Sequence, residues 1–389
     1  MNKTDIVVYG ATGFTGRLVA EYLHKQYGNG GEVSWSMAGR SKEKLVKVRD
    51  EMNFPQDTPL VVANSDDGDS MQAMVDGAKL ILTTVGPYQL YGSDLVERCV
   101  KSGTDYVDLC GEPFWMREMI DAYEADAKES GARIVFSCGF DSIPSDLGIL
   151  MLQNHAIEKS GAPCSVVEGR VRKMVGTFSG GTAASLQASV KAAKTNPEIM
   201  KLAFDPYALV PGFKGVEQPD GEKIHFSEVY QSWVAPFVMA AINTRNVHRS
   251  NALMGYKYGK DFKYSEMLLT GPGDKGEAIA NHVKNDRSMA GPDAPKPGEG
   301  PSKEEREAGY YDIMYVGTRQ DGSRSVVGVK GDRDPGYGST SKMIAESAIC
   351  LIKDATDTEA GLLTTAPAMG EKLIKRLQAN AGLSFEIEA

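Results

Sequence analysis

The chain is 389 residues long, carries 43 Lys and Arg against 52 Asp and Glu, and has a formal net charge of −9. That length exceeds one ordinary core, so two domains are expected, and 41% hydrophobic with 24% charged residues excludes wholesale disorder. The acidic balance excludes nucleic acid as a partner, because phosphate binding needs a basic face.

Met1-Asn2-Lys3-Thr4-Asp5 runs straight into an apolar strand, Asp5–Tyr9, with no signal or transit segment before it. Gly10-Ala11-Thr12-Gly13-Phe14-Thr15-Gly16 follows at once, and Leu18, Val19, Tyr22 and Leu23 then recur at helical spacing. A second strand is predicted at Val33–Ala38, ending in Gly39-Arg40-Ser41, with Ser41 placed to cap the helix Lys42–Met52. Leu60–Ala63, Lys79–Val85, Tyr106–Leu109 and Arg133–Ser137 read as four more strands. Between the fourth and fifth, Ser93 and Gly103 bracket a helix as cap and stop. Six strands alternating with helices predict an α/β fold: an N-terminal Rossmann doubly wound parallel sheet over residues 1–150.

From Gly161 the rhythm changes. Ser165–Lys173 and His225–Ala235 read as strands and Thr182–Lys194 as a helix, which predicts a second, α+β domain over residues 151–335 that holds the substrate. The longest apolar stretch, Val234–Ile242, is far too short to cross a bilayer, so no membrane span is expected. Residues 285–309, rich in Pro, Gly and charge, predict a mobile surface loop. Met343–Ile352, entered through Gly336-Tyr337-Gly338-Ser339-Thr340, and Glu371–Gln378 read as helices, and residues 336–389 are expected to return to the first domain. Five cysteines, an odd number without a CxxC pair, fit a reducing compartment, so a cytoplasmic location is expected.

Three glycines at this spacing mean little alone, but here they follow a strand and open a helix, as a dinucleotide fingerprint requires. Gly10 permits the tight turn, Gly13 the approach of a pyrophosphate and Gly16 the packing of helix on strand, with Ala11, Thr12, Phe14 and Thr15 completing the cradle. The competing reading is a ligand-free glycine turn. An NAD enzyme usually places an acid at the end of the second strand; none lies between Val33 and Lys42. Arg40 and Ser41 stand where a 2′-phosphate would lie, which points to NADP(H). Val85-Gly86-Pro87-Tyr88, ending the fourth strand, is expected beside the nicotinamide ribose, and Gly139 after the sixth belongs to the same edge. Asp66 is a weaker candidate for the adenine edge, against a solvated loop acid.

GATGFTG, AGRS, VGPYQLYG, YVDLCGE and CGFDSIPSDLG together resemble the saccharopine-dehydrogenase-like oxidoreductases. FSGGTAAS, DPYAL, WVAPFVMAAINTRNVHRSNAL and GDRDPGYGSTSKMIAES look like the trans-acting enoyl reductase branch of that family, in the same order over nearly the whole chain. The resemblance implies a Rossmann domain joined to a saccharopine-reductase-like second domain, NADP as cofactor, and reduction of a carbon–carbon double bond on a carrier-bound lipid or polyketide chain.

Hydride transfer asks little of the protein beyond positioning and a proton donor. Tyr88 is a candidate donor or oxyanion binder, with Tyr91 beside it; Asp141 and Ser142, after the sixth strand, are further candidates, and Ser142 or Ser145 can equally cap a helix. Asp108 and Glu112 flank Cys110 in alternation, so only part of that group faces the site. Thr244–Arg249 can bind a carrier's phosphopantetheine or stand as a solvated polar stretch. No His/Cys/Asp cluster has metal-ligand spacing, and no GxSxG elbow occurs. The leading function is an NADPH-dependent enoyl reductase acting on an apolar acyl, polyketide-like or enone substrate, small or carrier-bound, with a homodimer as one admissible assembly. A saccharopine-type enzyme forming a C–N bond would need a basic pocket, for which Arg170, Arg172, Arg245 and Arg249 are available. A non-catalytic NADP-sensing protein is the third reading.

Overall fold

The computed structural model describes residues 3–28, 31–291, 294–296 and 298–389. Seven parallel strands form the first sheet: β1 (Thr4–Tyr9), β2 (Trp35–Gly39), β3 (Leu60–Val62), β4 (Ala78–Thr83), β5 (Asp105–Val107), β6 (Arg133–Val135) and, from the far end of the chain, β13 (Gly361–Leu363). Their spatial order is β13-β6-β5-β4-β1-β2-β3, and every neighbouring pair is parallel. The central strands are unbroken apolar runs because both faces are covered. Helices α1 (Phe14–Tyr27), α2 (Lys42–Glu51), α3 (Gly68–Asp76), α4 (Tyr88–Tyr91), α5 (Ser93–Ser102) and α6 (Pro113–Ser130) alternate with them. β2 starts at Trp35 rather than Val33 because Ser34 is held by Asp5, whose carboxylate accepts its amide (2.8 Å) and the Lys79 ammonium (2.7 Å). Ser93 does not cap α5: Gly92 is the cap position, and the Ser93 hydroxyl accepts Trp115 Nε1 instead.

α7 (Ile143–Ser160) leads into a mixed seven-stranded sheet ordered β14-β12-β11-β7-β10-β9-β8. Its strands are β7 (Val166–Val175), β8 (His225–Ser227), β9 (Ser232–Pro236), β10 (Lys263–Gly271), β11 (Tyr310–Thr318), β12 (Arg324–Gly331) and β14 (Leu383–Ile387). Only the β7–β10 pair is parallel. The stretch expected as one strand, His225–Ala235, is the hairpin β8–β9, turned at Gln231 with φ +47°. Around the sheet lie α8 (Gly180–Thr195), α9 (Pro197–Phe204), α10 (Ala240–Leu253), α11 (Gly273–Asn285), α12 (Lys303–Ala308), α13 (Thr340–Lys353) and α14 (Thr365–Asn380).

The stretch 285–309, expected as a mobile loop, is described except at residues 292, 293 and 297, which lie outside the described residues. It contains α12, started by a capping box between Ser302 and Glu305, and Gly180 donates its amide to the Glu299 carbonyl at 3.1 Å. Ser-x-x-Glu was legible in the sequence; the prolines around it masked the signal.

One apolar core fills the face of the parallel sheet under α1, α2, α13 and α14 and continues through α7 into the mixed sheet. A second lies on the other face, under α3, α5 and α6. Gly148 lets α7 lie flat on the mixed sheet: a Cβ there would stand 2.7 Å from the Tyr315 ring. The five cysteines are buried and unpaired.

Glu346 on α13 is fully buried and binds three elements at once. It pairs with Arg376 at 2.6 Å and accepts the hydroxyls of Tyr22 (2.6 Å) and Tyr27 (2.5 Å), so one carboxylate ties α1, α13 and α14. Removing it leaves a largely buried guanidinium and two phenols short of a partner. Glu346→Ala should therefore cost about 3–5 kcal/mol of stability, read as a lower urea midpoint; an unchanged midpoint would show that Asp354 and Glu32 suffice for Arg376.

Candidate functional site

The glycine loop has the geometry its sequence requires. Gly10 sits at φ +91°, and a Cβ there would lie 2.8 Å from Val85 Cγ2, so β1 can end only in glycine beside the β4 turn. A Cβ at Gly16 would stand 2.1 Å from the Gly10 carbonyl, so α1 packs directly on the turn. Ala11 is buried, its amide on the Ala38 carbonyl. Thr12, Phe14 and Thr15 are half-buried, and Gly13, the exposed cap residue of α1, has no side chain to block an incoming group. The first-turn amides of α1 lie at the positive end of its dipole, beside a cap residue with no side chain, the charge preference that an anionic group needs.

At the end of β2, Arg40 is exposed and makes no ion pair or hydrogen bond among the described residues. Ser41 is the N-cap of α2: its hydroxyl accepts the Lys44 amide (3.2 Å) and donates to Glu43 (2.8 Å). The serine is thus engaged in capping, while the guanidinium is free to take a 2′-phosphate. The buried Tyr9 hydroxyl feels the charges of both Arg40 and Asp66, and Asp66 itself is a solvated loop acid.

The β4 turn is rigid. Val85 donates its amide to Thr83 Oγ1, Gly86 is exposed beside Ser185 of α8, and Pro87 is the cap position of α4. Tyr88 is not placed as a proton donor. Its ring is buried against Trp115, and its hydroxyl accepts the Leu109 amide at 3.0 Å and points to the Thr83 carbonyl. Burial raises its pKa well above the ordinary value. The turn is held from β5 by Glu112, whose buried carboxylate accepts the amides of Tyr88 (2.8 Å) and Gln89 (3.0 Å). Tyr91 is half-exposed on α4.

Beyond β5 and β6 a second buried acid organises the backbone. Asp108 accepts the amides of Cys110 (3.0 Å) and Ser137 (2.8 Å) and the Tyr106 hydroxyl (3.0 Å). Burial outweighs these donors and moves its carboxyl up to about 7. Asp108, Cys110 and Glu112 are all buried, and the two acids face inward and build loops.

Gly139 is a close-packing position, since a Cβ there would meet Leu109 at 2.6 Å and Thr340 at 2.9 Å. Ser142 is buried, accepts Asn246 Nδ2 at 2.8 Å, and stands at the N-cap of α7 without making a side-chain cap bond. Asp141 differs from both. Its carboxylate has no hydrogen-bond partner among the described residues, lies against Gly111 and within the field of Tyr337, and is partly accessible. Desolvation alone raises its pKa to about 7. Among the buried acids of these loops, Asp108, Glu112 and Asp141, only Asp141 has a carboxylate without a hydrogen-bond partner among the described residues.

The remaining wall comes from α8 and the turn before α13. Asp334 accepts the amides of Tyr337 (3.0 Å) and Gly338 (2.7 Å), and the Tyr337 hydroxyl meets the Ser179 amide and Thr182 Oγ1. Its ring stands edge-on to Phe14 with centroids 5.2 Å apart. The sequence singled out residues 336–340, and Ser185 of α8 only as the last residue of the FSGGTAAS segment. Thr244–Arg249 is not a surface stretch: Asn246, His248 and Arg249 are buried in α10, and burial lowers the His248 pKa to about 3. The four arginines considered for a polycarboxylate are engaged. Arg170 pairs with Glu168, Arg172 with Asp312 and Glu388, Arg249 with Glu124, and Arg245 donates to the Ala241 and Ala203 carbonyls.

Residues 6–135 match the saccharopine dehydrogenase NADP-binding domain, in keeping with a cradle and a free Arg40 that fit NADP. Over 411 aligned residues the chain is 40% identical to a Mycobacterium tuberculosis protein provisionally named a trans-acting enoyl reductase, covering 98% of this chain and 97% of that one. It is 37% identical to the trans-acting enoyl reductase of Mycobacterium ulcerans over 402 residues, 96% and 95% of the two chains. Among solved structures, apo saccharopine dehydrogenase (L-Glu forming) from Saccharomyces cerevisiae superposes with a TM-score of 0.55 at 10% identity, covering 99% and 100% of the chains, a likeness of fold. Nucleotide cradle, two-sheet architecture and full-length relatives agree, and the chain belongs to the trans-acting enoyl reductase family, built on a saccharopine dehydrogenase NADP-binding domain.

Proposed function

We propose that the protein is an NADPH-dependent enoyl reductase that saturates the double bond of an apolar α,β-unsaturated acyl or enone substrate, with the parallel sheet holding the cofactor and the mixed-sheet side shaping the substrate site. The observation that carries this reading is Asp141: an unpartnered carboxyl held near pKa 7 at the sheet edge where the β4, β5 and β6 loops meet. The glycine loop and Arg40 would hold the phosphates of NADPH, and the turn at Gly86 and Pro87, fixed by Glu112, would position the nicotinamide end. The chemistry the cofactor would supply is a hydride for the β-carbon. Asp141 holds the proton that the α-carbon takes as the enolate collapses, so hydride and proton together balance the reduction. Leu90 and Tyr91, exposed on α4 beside this turn, supply apolar surface for an acyl chain. A C–N bond-forming reaction on a polycarboxylate is disfavoured because Arg170, Arg172, Arg245 and Arg249 already have partners.

Three measurements test these roles. Titration with NADPH and NADH should show a strong preference for NADPH, and Arg40→Ala should remove most of it, on the order of tenfold or more in affinity; equal binding of both nucleotides by wild type would refute the 2′-phosphate assignment. Turnover with an enoyl thioester should fall as pH rises through about 7, since only the protonated Asp141 donates. Asp141→Asn should abolish that limb and lower kcat by roughly 10²- to 10⁴-fold, whereas an unchanged profile would move the donor elsewhere. Tyr88→Phe should keep turnover within a few-fold yet destabilise the fold by about 1–3 kcal/mol, because the buried Leu109 amide loses its acceptor.

A further inference from the structure

α12 brings one more cation to the nucleotide cradle. The Arg306 guanidinium stacks over the Phe14 ring, 5.6 Å from its centroid, and Phe14 is the first residue of α1. Arg306 donates to the Pro301 carbonyl at 2.6 Å but forms no ion pair among the described residues. Asp334 lies within its field, but that carboxylate is turned to the amides of Tyr337 and Gly338. The approach is built: a Cβ at Gly300 would stand 2.6 Å from the Phe14 ring, and one at Gly309 would stand 2.5 Å from Asp334, so the chain on each side of α12 is seated by close contact. A guanidinium shelved on an aromatic keeps its charge while its side-chain freedom is already reduced. It is held one ring's breadth from the α1 N-terminus, whose positive dipole end favours an anionic group.

We propose that Arg306 is a pyrophosphate-binding residue, delivered from the second half of the chain to the fingerprint loop in the first. The proposal rests on reading that loop as the cofactor cradle. It makes phosphate recognition bipartite: Arg40 takes the 2′-phosphate and Arg306 neutralises the bridge between the two nucleotides. Nothing in the fingerprint foretells this residue, which follows it by some 290 positions in the sequence.

The test is titration of the full chain, by fluorescence or calorimetry, with NADPH and with adenosine 2′-monophosphate, which lacks the pyrophosphate. Arg306→Gln should weaken NADPH roughly 10- to 100-fold and leave the monophosphate unchanged, with Arg306→Lys between. Unchanged NADPH affinity in Arg306→Gln overturns the proposal. So does equal weakening of both ligands, which would mark Arg306 as a support for the loop alone. Wild type that binds neither nucleotide overturns the cofactor reading itself, and this proposal with it.

Discussion

The site depends on a single constraint, the satisfaction of buried amides by Asp108. β5 and β6 end after three residues each, and their following loops must turn inside the protein, where unpaired N–H groups are costly. Asp108 meets the need by accepting Cys110 and Ser137 together, and Ser137 is held at φ +58°, where few side chains settle. From this knot the chain reaches Glu112, which fixes the β4 turn, and Asp141, which is left without a partner. Two acids are consumed in construction so that a third can remain free.

The same economy of charge runs through the second half. Asn243 and Tyr264 donate to the buried Glu266, and Tyr315 donates to Ser145 of α7 at 3.1 Å. These polar contacts fix the register of α7 and α10 over the sheet, which apolar packing alone specifies weakly. The four arginines available for a basic pocket, Arg170, Arg172, Arg245 and Arg249, each have a carboxylate or carbonyl already facing them.

Most of the parallel sheet was legible because its determinants are local. Apolar runs bounded by Gly and Pro gave β1 to β6, and the glycine spacing gave the cradle together with the strand it follows. The seventh strand, Gly361–Leu363, is three residues long and joins β6 across more than 220 positions, so no periodicity announces it. The site residues divide in the same way. Glycines are read by what their absent side chains permit, and Gly10 and Gly16 behave as their spacing implies. Tyr88 and Ser142 stand near strand ends in the sequence, but both are buried in contact with residues as distant as Leu109 and Asn246, which no local signal reveals. Arg306 had no signal because its meaning lies in Phe14.

Both sheets take their last edge strand from the end of the chain: β13 closes one side of the parallel sheet and β14 one side of the mixed sheet. Between them, α14 receives the Asp146 carboxylate at its first turn, binding it to α7. Each sheet is therefore unfinished, with an open edge, until residues 361–363 and 383–387 have joined it. Such edges are templates for pairing with other chains. The glycine turn of residues 10–16 likewise depends on a distant segment, since its Tyr337 wall comes more than 300 positions later in the sequence.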